Sequence, residues 1–183
     1  MFKQMINVME RRGANPKNTM ADLSFGPHRA SCALGAGGLT AHKTEGDRKT
    51  PIGEFELRRL WMRQDRVRAP EMAFPIAFPI HYISPKSGWC DAPESRFYNR
   101  PIERPFAASH ERLWRRDGLY DVFFELGYND VNPIAGEGSA IFLHLQKNNF
   151  NPTLGCVAVS WRSMAFLLRH ARPGCRVDIA RNA

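Results

Sequence analysis

Four cysteines in 183 residues are too few, and too scattered, to organise this chain. They stand at positions 32, 90, 156 and 175, and no two share the C-x-x-C spacing of zinc or redox sites. If one is a working thiol, the other three cannot all pair internally, so a disulfide framework is not indicated. Zinc and thiol-redox motifs are therefore not expected. No stretch reaches the roughly 18–20 apolar residues of a membrane span. The first twenty residues lack the apolar core of a secretory signal and carry Lys3, Arg11, Arg12 and Lys17. They read as a flexible leader over residues 1–22, ahead of one domain over 23–183. Repeats and low-complexity segments are absent. No run approaches the about five or six like charges of a nucleic-acid tail, so nucleic acid is not the expected partner.

What is present is ordinary globular material, 43% hydrophobic and 24% charged, with a net charge of +8. That balance favours anionic partners such as an acidic polymer, although a merely solvated basic surface also accounts for it. Glycine (14) and proline (13) are plentiful, which limits helices and favours turns and short strands.

The patterning predicts a mainly β fold. Ala30–Leu34 reads as a strand entering a Gly-rich turn, and Glu54–Leu57 alternates at period two. The apolar stretch from Pro75 to Ile83 holds two prolines, which makes it an edge strand or irregular. Residues 84–108 read as a long ordered loop. Ser109–Arg116 has helical character. Leu119–Gly127 reads as a central strand, and Ala140–Leu145 as a short one. Ser160 caps a helix with Trp161, Met164 and Leu168 on one face. Cys175–Ala180 alternates as the last strand. Two helices are expected in all.

The chemistry concentrates in one segment. His144 ends an apolar strand, a polar loop with Asn148, Asn149 and Asn151 follows, and Thr153-Leu154-Gly155-Cys156 leads into a second apolar run. A thiol is a few per cent thiolate at neutral pH, and a histidine in reach can take its proton and return it to an amine. Gly155 admits close backbone approach. The Gly155 and Cys156 amides then become candidates for an oxyanion site. Spacing alone leaves buried packing open for both residues, because free cysteine behaves as a small hydrophobe.

Two separated motifs then agree. His144, Thr153, Gly155 and Cys156 resemble the His and Ser/Thr-x-Gly-Cys signature of YkuD-type L,D-transpeptidases. Upstream, Glu45-Gly46-Asp47 and Thr50-Pro51-Ile52-Gly53-Glu54-Phe55 are similar to that family's T-P-x-G-x-F element. The resemblance spans roughly Ala30 to Ile179. It implies a β-sandwich or barrel catalytic domain with a few short helices and a long substrate-facing loop. It also implies acyl transfer on diaminopimelate-containing peptidoglycan stem peptides through a thioester on Cys156, without a cofactor. The alternative on the same route is an L,D-carboxypeptidase or endopeptidase that hydrolyses muropeptides. The segment from His144 to Thr153 is shorter than in the commonest members, and Leu154 stands where many carry His. A compact branch with its own donor bond, such as one made at L-alanine, is implied. The substrate places it in the periplasm or cell envelope; the unreadable export signal leaves the cytoplasm open. A monomer is expected.

Other residues carry two readings each. Trp89, Asp91, Tyr98 and Asn99 form either a substrate wall with Thr153 or a packed structural loop. Lys43 or Arg48 binds a substrate carboxylate or is solvated. His28, His42, His81, His110 and His170 read as surface residues, and Cys32, Cys90 and Cys175 as structural thiols.

Overall fold

Alternating apolar residues become strands throughout the computed structural model, which describes residues 4–11, 19–67, 74–146 and 150–182. The strands are β1 (Met5–Glu10), β2 (Met20–Phe25), β3 (His28–Ala33), β4 (Leu39–Thr40), β5 (Thr50–Pro51), β6 (Gly53–Met62) and β7 (Ile80–Tyr82). Then come β8 (Ser87–Cys90), β9 (Arg100–Glu103), β10 (His110–Arg112), β11 (Val122–Leu126), β12 (Phe142–Leu145) and β13 (Val157–Val159). Helix α1 (Trp161–His170) and β14 (Arg176–Ala180) end the chain.

Strands β11, β12, β13, β3, β2, β1, β14 and β6 pair in that order, and β6 pairs back onto β11. That pairing closes the sheet into a barrel. Closure depends on the ten-residue length of β6: Gly53–Glu56 pairs with β14, while Leu57 to Met62 pairs with β11. Short β7 adds to β6 at the edge and begins only after Pro79, in keeping with the prolines that precede it. A separate three-stranded sheet runs β10-β8-β9.

Period-two alternation gives the wall two apolar faces. Val122, Phe124, Leu126, Leu143, Val157 and Val159 point into the barrel with Ile6, Val8, Leu23, Val177 and Ile179. Helix α1 adds Met164, Leu167 and Leu168. The intervening Phe123 and Phe142 join Trp61, Trp89, Leu113, Tyr120 and Cys156 in a second cluster. His144 shares the Phe142 side of β12 and packs edge-on to Tyr120.

Several sequence expectations change. Residues 5–10, expected in a flexible leader, are a strand between β2 and β14. Ile6 and Val8 are fully buried, and two apolar residues among polar ones were too brief a pattern to read. Residues 12–18 lie outside those described. Segment 109–116 is not helical: its Glu111 and Arg115 sit four apart, but His110–Arg112 pairs with β8. Segment 84–108 holds β8 and β9 rather than one loop. One helix, not two, is found among the described residues, capped by Ser160 as expected. On it Trp161 is 37% exposed, so Met164, Leu167 and Leu168 make the buried face.

Because β1 is internal to the barrel, Ile6→Ala is expected to cost about 2–5 kcal/mol, read by urea unfolding. A freely flexible leader would give no change.

Candidate active site

Cys156 sits where the Thr153 loop enters β13, and its carbonyl oxygen anchors the turn. Thr153 Oγ1 donates to it at 2.7 Å and accepts from the Gly155 N–H at 3.1 Å. Thr50 Oγ1 donates to the same carbonyl at 3.5 Å and accepts from the Gly35 N–H at 2.8 Å. The two motifs recognised in the sequence therefore meet at one oxygen. Gly155 has φ +142°, and a Cβ there would come 3.0 Å from the Lys49 carbonyl. Only glycine fits both the dihedral and that approach.

Cys156 is 7% exposed. Its Sγ accepts from the Phe142 N–H at 3.3 Å and donates to the Ala140 carbonyl at 3.2 Å. Burial pushes its pKa up to about 12, and Glu111 adds to the rise; the Phe142 amide, Lys43 and Tyr120 oppose it. His144 is 4% exposed. Its Nδ1 lies 2.7 Å from the Leu145 carbonyl, which assigns the proton to Nδ1 and leaves Nε2 with a lone pair. Burial lowers its pKa to about 4. The resting pair is thus neutral thiol and neutral imidazole, and no hydrogen bond joins them.

Both residues line one cavity of about 560 Å³. Lys43 and Arg48 border it on the Thr50 side; Asp91, Glu111, Arg115 and Tyr120 border it on the side of the small sheet. Leu154, Leu119 and Ile141 supply apolar lining, and Leu154 is 75% exposed. Buried Lys43 pairs with Asp47 at 2.6 Å. That bond and two backbone N–H donors hold the Asp47 carboxyl below its usual range against the cost of burial. Among the described residues, no group of three or more His, Cys, Asp or Glu is placed to hold a metal.

The L,D-transpeptidase catalytic domain family, YkuD, matches residues 18–179. The chain belongs to that family. Solved structures similar to it include an LD transpeptidase in complex with imipenem, at 10% identity and TM-score 0.40, covering 97% of this chain and 59% of that one. Another is Mycobacterium tuberculosis L,D-transpeptidase 1, at 10% identity and TM-score 0.37, covering 98% and 62%. This chain therefore spans about three fifths of the length of those proteins. No curated protein matches.

Within this L,D-transpeptidase domain the expected site residues divide. Cys156, His144, Gly155, Thr153 and Asp91 all line the cavity. The Gly155 amide is committed to Thr153 Oγ1, and Thr153 braces the turn. Trp89, Tyr98 and Asn99 are buried and do not line the cavity. Asn99, at φ +54°, accepts from Trp89 Nε1 and the Ala140 N–H and donates to the Tyr128 and Asn129 carbonyls. Tyr98 donates to Glu45 at 2.5 Å and accepts from the Gly138 N–H at 3.0 Å. They clamp the 128–140 segment that presents Ala140 to the thiol. Asn148 and Asn149 lie outside the described residues. Sequence reading passed over Tyr120 and Glu111: one was absorbed into a strand, the other into a presumed helix. Of the two readings for Lys43, solvation does not hold, because its side chain is buried at the edge of the cavity.

Because folding depresses the His144 pKa, the unfolded chain takes that proton first as pH falls. The stability is full above about 6.5 and is lost towards 4, by about 3 kcal/mol. Urea unfolding at pH 7 and 4.5 should show a steeper loss for the natural chain than for His144→Gln.

Proposed function

We propose that this domain is a cysteine acyltransferase that forms cross-links, or exchanges D-amino acids, in peptidoglycan stem peptides. The observation that carries the reading is a cavity bordered by a backbone-braced thiol and by an imidazole with its Nε2 lone pair free. Family membership supports the class of reaction.

Substrate binding brings a peptide carbonyl to Sγ. His144 Nε2 takes the thiol proton as the C–S bond forms. The Cys156 N–H is the amide left to steady the oxyanion, since that of Gly155 is already donated. Collapse expels an amine, which takes the proton from His144, and leaves a thioester on Cys156. An amine from a second stem loses its proton to His144 and attacks the thioester, restoring the thiol. The neutral resting pair suits a buried site, because separated charges there are costly until substrate enters. Lys43 and Arg48 favour a carboxylate-bearing peptide, in keeping with the +8 charge. That substrate is found in the cell envelope, where the domain is expected to act. Among the described residues no helix is long and apolar enough to cross a membrane.

The purified domain with disaccharide-tetrapeptides is expected to give dimers or D-amino-acid exchange by mass spectrometry. A carbapenem-type acylating agent should add one adduct, absent in Cys156→Ser. An adduct on Cys32, Cys90 or Cys175 overturns the assignment. His144→Gln should slow turnover by about 10²–10⁴.

A further inference from the structure

Among the described residues, three buried side-chain oxygens have no hydrogen-bond partner: Asp91 Oδ1, Ser139 Oγ and Gln146 Oε1. All three belong to residues that line the Cys156 cavity. Buried polar atoms in folded proteins are otherwise almost always paired, because an unmade bond there is costly, so three in one cavity mark where a ligand's donors are met. Asn99 brings Asp91 and Ser139 to the same side. Its N–H donates to the Cys90 carbonyl at 2.9 Å, one residue before Asp91, and its Oδ1 accepts from the Ala140 N–H at 3.0 Å, one residue after Ser139. The Ala140 carbonyl also accepts the thiol proton at 3.2 Å, so these two oxygens stand on the sulfur's side of the cavity. Gln146 lies past the other end of β12, beyond His144. Ser139 is 7% exposed. The Tyr98 hydroxyl is its neighbour, but that hydroxyl is engaged with Glu45 and the Gly138 N–H, and no bond of ordinary geometry joins it to Ser139.

The cation on this side is already engaged. Arg115 pairs with Asp117 at 2.6 Å and faces Glu111 at 3.6 Å, while Glu111 accepts from the Tyr120 hydroxyl at 2.7 Å. Asp91 thus keeps a carboxylate oxygen for an incoming donor. Arg48, on the Thr50 side, is the reverse. It stands at φ +58° in a turn that Asp47 holds by accepting from the Thr44 and Lys49 N–H groups. Among the described residues its guanidinium pairs with no carboxylate, and it borders the cavity. Resting on the reading of Cys156 as an acyl-transfer nucleophile, we propose that Asp91 and Ser139 bind a side-chain ammonium of the acyl donor and that Arg48 takes a carboxylate of the same residue. A donor residue with both groups free is thereby oriented with its carbonyl at Sγ. Asp91 supplies charge, since an ionised acceptor bonds about twice as strongly as a neutral one; Ser139 supplies direction. The attacking amine loses its proton to His144, towards the Gln146 end, which leaves the Asp91 end to the donor.

The test is calorimetric binding of stem tetrapeptides to the whole chain carrying Cys156→Ala, with circular dichroism to establish folding. Three peptides are compared: one with the donor residue's side-chain amine and carboxyl both free, one acetylated on that amine, and one amidated on that carboxyl. Acetylation and amidation are each expected to weaken binding at least about tenfold. Adding Asp91→Asn, which keeps the shape and removes the charge, should bring the free and acetylated peptides within about twofold of each other and leave the preference over the amide in place. Arg48→Gln should do the converse. Equal binding of the free and acetylated peptides, or a preference that survives its matching variant, overturns the proposal. If Asp91→Asn does not fold, the first comparison decides it together with Ser139→Ala, which is expected to lose part of the preference for the free amine. Binding of none of the three peptides strikes at the proposed function and takes the inference with it. Binding without preference leaves that function standing, so the two failures are distinct.

Discussion

The carbonyl oxygen of Cys156 is the point on which the site is hung. Two threonine hydroxyls reach it from opposite ends of the sequence, one three residues before the cysteine and one 106 residues upstream. Each hydroxyl also takes a backbone N–H, at Gly155 and Gly35, so each bond is one link of a short chain. Individually such bonds contribute about 1 kcal/mol. Together they fix a turn whose glycine has a dihedral that other residues rarely adopt, and they set the direction in which the thiol leaves the backbone. Thr50 is also where the chain turns into β6, the strand that closes the barrel. The site and the closure thus share Thr50.

The second constraint is the two-faced wall. In β11 and β12 alternate residues serve different bodies: Phe124 and Leu143 fill the barrel, while Phe123 and Phe142 build an aromatic cluster outside it. Cys156 and His144 belong to the outer side. This explains their low exposure and their neutrality, since an aromatic surround penalises thiolate and imidazolium alike. It also explains why a small second sheet exists. Trp89 of β8 and Leu113 after β10 complete the cluster, and Glu111 is delivered to the cavity from β10. The Tyr98-Asn99 pair then clamps the segment that ends at Ala140, whose carbonyl holds the thiol's proton.

Much of this was legible beforehand. The strand class, the last strand at 176–180, the Ser160 cap and the nearness of His144 and Cys156 at one cavity all follow from short-range patterns: alternation, turn residues and motif spacing. What went unread has a common cause. Ile6 and Val8 gain their significance from partners at 177 and 179, far along the chain. Glu111 and Arg115 are spaced for a helix face, yet ladder bonds to β8 override that local preference. Trp89, Tyr98 and Asn99 have the chemistry of a binding wall, and only tertiary packing shows their polar atoms bonded inward.

By itself, then, the sequence determined the β-rich class and the family, and it singled out Cys156 and His144 as candidates, because these reside in local periodicity and in two short motifs. Tertiary structure alone decided which side chains face the cavity, that the thiol and the imidazole are both neutral at rest, and that Tyr120 and Glu111 line the same cavity as the thiol. Burial and the field around a group are sums over residues distant in sequence, and no local pattern encodes them.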